Sequence, residues 1–136
     1  MHHKISRLKA LFSALPSREA LYQKIMELGK DLPPFQEAWK TEANRVIGCQ
    51  SLMYLHSELR EGKVYFYAAS DALISAGLAA LLLAVYSEEP PESILVCPPQ
   101  FLEELGIPSA LTPGRANGLS SLYLKMKQEA LSFLLV

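Results

Sequence analysis

The stretch "ALISAGLAALLLAVY", Ala72 to Tyr86, carries no charged residue and is apolar nearly all round at helical spacing. A helix of this kind is stable only when the rest of the protein surrounds it. A bilayer is not the alternative, because its longest apolar run, Ala76 to Tyr86, is about half the length a membrane-spanning helix requires. Ser87, Glu88 and Glu89 then close it. A buried central rod is expected, in one domain over 1–136, since a chain of 136 residues can bury about two-thirds of its unfolded surface.

The flanking segments supply partners for that rod. Ile5, Leu8, Leu11, Phe12 and Leu15 form a helical stripe, and Pro16 with Ser17 ends it and caps a second helix. Leu21, Ile25 and Leu28 face one way on this second helix, with Gly29 as its expected stop. Helical patterning lapses from Lys30 to Gln50, around Pro33, Pro34 and a solitary Trp39, so a long loop is predicted there. Ser51 to Leu59 alternates like a half-buried strand, Glu61, Gly62 and Lys63 suit a hairpin turn, and "VYFYAAS" from Val64 suits a returning strand. Ser70 and Asp71 offer a cap for the central helix. Further on, Ser93 to Cys97 reads as a short third strand, Pro98 opens a helical turn that Gly106 ends, and Thr112 with Pro113 opens a last helix through Leu119, Leu122, Met126 and Leu131.

Thirteen basic and fourteen acidic residues leave a formal net charge of −1, which excludes the diffuse positive field that drives nucleic-acid binding. The start of the chain has a helical stripe rather than a continuous signal core, so a cytoplasmic location and no membrane contact are expected. Two cysteines without a Cys-x-x-Cys pair cannot by themselves supply the three or four ligands of zinc or an iron–sulfur cluster, so no metal is expected. "TPGRANG" lacks the lysine and spacing of a phosphate loop.

Two readings remain for the cysteines, inert core packing like a small hydrophobe and thiol chemistry. Cys49 follows Gly48 at the end of the long loop, where glycine permits a sharp turn and leaves the sulfur unshielded. A free thiol with a pKa of about 8.5 is mostly protonated at neutral pH, so its activation needs a cation or a helix N-terminus. Arg115, in the first turn of the last helix, stands where the helix dipole disfavours a cation, and is the candidate. His56 would have to serve any Cys–His hydrolytic pair, but seven residues along one strand it faces the other way. Trp39 reads equally as a partner anchor or a core plug, and Asp71 as a helix cap.

Three segments, "GCQSLMYL" (Gly48–Leu55), "SDALISAGLAALL" (Ser70–Leu82) and "LTPGRANGL" (Leu111–Leu119), together with "IMELGKDLP" (Ile25–Pro33), resemble the signature blocks of the SufE sulfur-acceptor proteins. The resemblance implies an α+β fold with an antiparallel sheet of about three strands flanked by helices, as in IscU-type scaffolds. It also implies that the chain accepts persulfide sulfur from a pyridoxal-phosphate cysteine desulfurase of SufS or CsdA type, stimulates that enzyme, and passes the sulfur towards an iron–sulfur scaffold. The acceptor cysteine then falls on Cys49 and the motif arginine on Arg115, with Gly48, Gln50 and Asp71 in supporting or contact positions. No resident cofactor is implied, the intermediate being a covalent persulfide on Cys49 and the pyridoxal phosphate belonging to the partner. Tyr54, Ala76 and Gly114 stand where the family commonly has tryptophan, a basic residue and serine. Two other classes compete: a non-catalytic adaptor that binds a desulfurase through Trp39 and the loop, and a thiol hydrolase dependent on His56.

Overall fold

Ten of the fourteen residues of the helix Leu73–Tyr86 are buried, so the charge-free segment is indeed the centre of the molecule. The computed structural model describes residues Met1–Leu135, ordered as α1 (His2–Phe12), α2 (Arg18–Lys30), β1 (Met53–Arg60), β2 (Lys63–Ser70), α3 (Leu73–Tyr86), α4 (Pro91–Leu95), α5 (Phe101–Glu104), α6 (Ile107–Ala110) and α7 (Pro113–Leu134). The class is α+β, and α3 packs against α2, β2 and α7.

Against α2 the approach is at backbone distance. A methyl group at Gly77 would sit 2.0 Å from the Ile25 carbonyl oxygen, and one at Gly29 would sit 2.6 Å from the Gly77 nitrogen. Gly29 therefore does not stop α2, which runs one residue further to Lys30; it lets two helices touch. Ser17 caps α2 as expected, its hydroxyl accepting from the Ala20 N–H.

β1 and β2 pair antiparallel from Met53↔Ser70 to Arg60↔Lys63. The two-residue turn places Glu61 at φ 50° and Gly62 at φ 79°, the left-handed pair whose twist suits a hairpin. Met53, Leu55, Val64, Phe66 and Ala68 are buried on the inner face. On the outer face Trp39 stacks flat on His56, ring centroids 4.0 Å apart, and Phe35 meets Trp39 edge-on at 5.3 Å. Trp39 is thus neither a free anchor nor a core plug: it straps the Lys30–Gln50 segment across the sheet, helped by short 3-10 turns at Glu37–Trp39 and Glu42–Asn44.

The expected third strand at Ser93–Cys97 is absent, so the sheet has two strands rather than about three. Pro91 occupies the first position of α4 and Glu92 lies in its first turn, so local start signals outweighed the β-branched Ile94 and Val96. Single bridges, Arg45↔Tyr54 and Val64↔Glu89, meet the two outer edges of the hairpin instead. Thr112 caps α7, with Pro113 in its first turn, and Leu119, Leu122, Met126 and Ala130 face inward, while Leu131 stays 46% exposed. Cys97 lies half-buried just after α4, its carbonyl accepting from the hydroxyls of Tyr86 (2.8 Å) and Tyr123 (3.4 Å).

Candidate functional site

The segment before β1 closes on itself. Val46 donates its N–H to the Met53 carbonyl at 2.9 Å, and beside this neck Arg45 bridges to Tyr54, so Ile47–Leu52 protrude as a six-residue loop with Cys49 near its tip. Gly48 has φ +100°, a conformation that side chains rarely adopt, and a methyl there would sit 2.5 Å from Ser121 Oγ on α7. The backbone angle favours glycine, whereas the Ser121 hydroxyl could turn aside.

Cys49 turns inward. Its thiol donates a long hydrogen bond to the Gly118 carbonyl at 3.6 Å, and the sulfur occupies the place beside Gly118 where a methyl would come within 3.3 Å. Beyond it, the loop is fastened to the end of the hairpin. The Asp71 carboxylate accepts from the Leu52 N–H at 3.1 Å, and the Asp71 N–H donates to the Leu52 carbonyl at 3.2 Å. Asp71 is therefore not the helix cap anticipated from its position, since α3 begins after Ala72 without a side-chain cap. Its carboxylate serves the loop instead.

The sulfur opens onto a cavity of about 230 Å³. Ala72 and Ser75 bring the first turn of α3 to its wall, and Gly114, Arg115 and Gly118 bring the start of α7. Two helix N-termini thus flank one space, and the partial positive charge of each favours an anion there. Leu78, Leu119 and Leu122 complete an apolar side. Burial pushes the Cys49 thiol above its ordinary value, so the resting group is the protonated, poorly nucleophilic form. Arg115 shares the cavity with Cys49, and its side chain makes no ion pair or hydrogen bond among the described residues. Gln50 is exposed and lays its amide where a side chain at position 114 would be; a methyl on Gly114 would lie 2.2 Å from its Nε2. Gly114 therefore supplies space for Gln50.

The structure thus brings Cys49, Gln50 and Arg115 to one cavity, with Gly48 and Asp71 shaping the loop that carries the thiol. His56 is not among the cavity residues; it lies beneath Trp39 and bonds Glu58 at 3.0 Å. Cys97 also lies outside the cavity lining. Among the described residues there is no group of three or more His, Cys, Asp or Glu that could hold a metal ion, and no helix is long and apolar enough to cross a membrane. Three cavity residues, Ser51, Ser75 and Gly118, are not singled out by the sequence alone. One signal was present: Ser75 is the only serine in the apolar helix α3.

Comparison with known proteins agrees with this geometry. The family model "SufE: Fe-S metabolism associated domain" matches residues 6–130. A SufE-like protein of Synechocystis is 38% identical over 112 residues, covering 82% of this chain and 70% of that one. The sulfur acceptor protein CsdE of Escherichia coli is 32% identical over 117 residues, covering 85% and 80%. Two longer relatives, from Plasmodium vivax and Arabidopsis, extend well beyond it: the chain spans 51% and 35% of them. A solution structure of a Thermus thermophilus protein superposes with a TM-score of 0.81 at 29% identity, covering 98% of this chain and 97% of that one. A match that takes in all three sequence blocks and nearly the whole fold leaves one conclusion: the chain belongs to the SufE family.

Proposed function

We propose that this protein is a sulfur carrier of iron–sulfur metabolism that accepts sulfur on Cys49 from a cysteine desulfurase, stimulates that enzyme, and yields the sulfur to an assembly scaffold. The observation that carries the reading is a single thiol, housed in a cavity, on a loop that is closed at its neck. The name of the Escherichia coli relative, a sulfur acceptor, points the same way.

The chemistry is thiol exchange with balanced atoms. Cys49 thiolate attacks the outer sulfur of a persulfide on the donor; the donor's S–S bond breaks, its cysteine leaves as thiolate, and a persulfide forms on Cys49. An acceptor thiolate then repeats the attack on the Cys49 persulfide. No oxidant is consumed. At rest the half-buried, protonated thiol is a poor target for oxidants, and when the loop swings out into a donor the desolvation that suppresses its ionisation is relieved. Gly48 is the hinge. The surroundings suit a protein partner, because Ile47, Leu52, Leu73 and Leu124 are 73, 39, 53 and 54% exposed and lie beside the loop, α3 and α7 surfaces that border the cavity. Pyridoxal phosphate belongs to the donor, and this chain's contribution is the thiol, its shelter and the Arg115 guanidinium as a partner for the sulfur anion.

The test mixes the protein with a pyridoxal-phosphate cysteine desulfurase and cysteine and weighs the product. Wild type should gain the mass of one sulfur atom, and Cys49→Ala should not. A sulfur that still attaches in Cys49→Ala, or that resides on Cys97, rejects the assignment. Stimulated desulfurase turnover that survives Cys49→Ala would favour the adaptor reading.

A further inference from the structure

A chain of hydroxyl groups runs from the backbone into the Cys49 cavity, and its direction is set by the bond that Ser51 gives to Ser75. The Ala72 N–H can only donate, and it donates to Ser70 Oγ at 3.3 Å. Ser70 Oγ lies 3.3 Å from Ser51 Oγ, and because the one Ser51 hydrogen goes to Ser75, Ser70 is the donor of this pair. Ser51 in turn donates to Ser75 Oγ at 2.7 Å. Ser75 ends the series at the cavity wall, and among the described residues its own hydrogen has no acceptor. Each bond polarises the next, so the last hydroxyl is a strengthened donor.

We infer that Ser75 is the seat of the outer sulfur in a Cys49 persulfide, donating its O–H to the perthiolate anion inside the cavity. The inference rests on the sulfur-carrier reading and adds a residue to it. A perthiolate projects one S–S bond, about 2.05 Å, beyond the thiol sulfur, and the space of about 230 Å³ next to Cys49 accommodates it. Arg115 supplies the cavity's cation, and on the side walled by Leu78, Leu119 and Leu122 an entering anion still requires a hydrogen-bond donor. Ser51 has already given its hydrogen, and it travels with the loop. Ser75 is fixed on the most buried helix of the fold, so it waits in place while Cys49 leaves and returns. The location of a lone serine in an otherwise apolar helix then has a chemical reason.

The experiment uses Cys97→Ser as the background, so that Cys49 is the only thiol, and loads it in two ways. One arm uses desulfurase and cysteine; the other uses inorganic polysulfide, in which Cys49 thiolate displaces a polysulfide one sulfur shorter. Intact mass reports loading, and the near-ultraviolet absorbance of the perthiolate is titrated with pH. Ser75→Ala should raise the perthiol pKa by about one unit, a tenfold smaller anion fraction below it, and shorten the lifetime of the adduct; Ser75→Thr should restore both. A merely structural role for Ser75, through its bond to Ser51, would change alkylation of the unloaded thiol but leave the perthiol titration unmoved. An unchanged titration in Ser75→Ala overturns the inference. Failure of the desulfurase arm alone overturns the carrier reading and leaves the Ser75 seat to be decided by the polysulfide arm.

Discussion

Replacing Gly118 by alanine separates the stability of the fold from the protection of the thiol. Two effects oppose each other. Within α7, alanine in place of glycine favours the helix by about 0.8–1 kcal/mol, whether or not the loop is docked. The added methyl would lie 3.5 Å from Cys49 Cα, an ordinary contact, but 3.3 Å from Cys49 Sγ, which is tight, so the docked thiol must yield by a few tenths of an ångström. Overfilling a packed site costs about 1–3 kcal/mol, and here the cost falls only on the docked state. At the lower end, 1 kcal/mol multiplies the fraction of open loop about fivefold, since about 1.4 kcal/mol is tenfold. Alkylation of Cys49 by iodoacetamide, followed by mass, should accelerate about five- to tenfold in Gly118→Ala, while thermal unfolding shifts little or moves upward. An unchanged or slower alkylation rate, alongside an unperturbed melting temperature, would refute the claim that the sulfur is held in its cavity by contact with Gly118.

Elsewhere in the molecule, Gly77→Ala drives a methyl to 2.0 Å from the Ile25 carbonyl and must part α2 from α3, so a loss of about 2 kcal/mol or more and a melting temperature lower by about 6–10 °C are expected by calorimetry. Asp71→Ala removes the acceptor of the Leu52 N–H at an exposed position, which should loosen the loop by about 0.5–1 kcal/mol and raise Cys49 alkylation about two- to fivefold with little change in global unfolding. Because burial raises the Cys49 pKa in the folded state, the thiol's contribution to stability is fully present below the unfolded value of about 8.5 and is lost as pH rises through the higher folded value. Urea titrations from pH 7 to 10 should show this decline in wild type and less of it in Cys49→Ala. Arg115→Ala should leave unfolding within about 0.5 kcal/mol, as the guanidinium has no ion pair among the described residues, yet slow sulfur uptake by about tenfold in the mass assay.

Much of the architecture was readable because it follows from strong local signals. The absence of charge in Ala72–Tyr86 located the core, alternation with Glu61–Gly62 located the hairpin, and Ser17 and Thr112 fixed two helix starts through their own hydroxyls. Misreadings arose where a residue's partner is distant in sequence. Gly29 has a stop signal's appearance, but its purpose is contact with Gly77, nearly fifty residues on. Asp71 sits where a cap belongs, yet its carboxylate answers the backbone of Leu52, on the far side of the hairpin. Ser93–Cys97 misleads for a local reason, since Ile94 and Val96 suggest a strand while Pro91 and Glu92 just ahead carry the helix start that prevails. At the site, the order of the blocks led to Cys49 and Arg115, whereas Ser51, Ser75 and Gly118 only acquire meaning once three elements converge on one space.

The flat stack of Trp39 on His56 fixes how far the carrier arm can extend. With residues 31–45 pressed across the hairpin and the neck tied at Val46, the moving part is the loop Ile47–Leu52, and Ile47, Gly48 and Cys49 alone set the reach from the neck to the sulfur. Three fully extended residues cover about 10 Å. A donor must therefore present its sulfur within about that depth of its own surface, and an enzyme whose reactive group lay at the bottom of a longer tunnel could not hand its cargo to this protein.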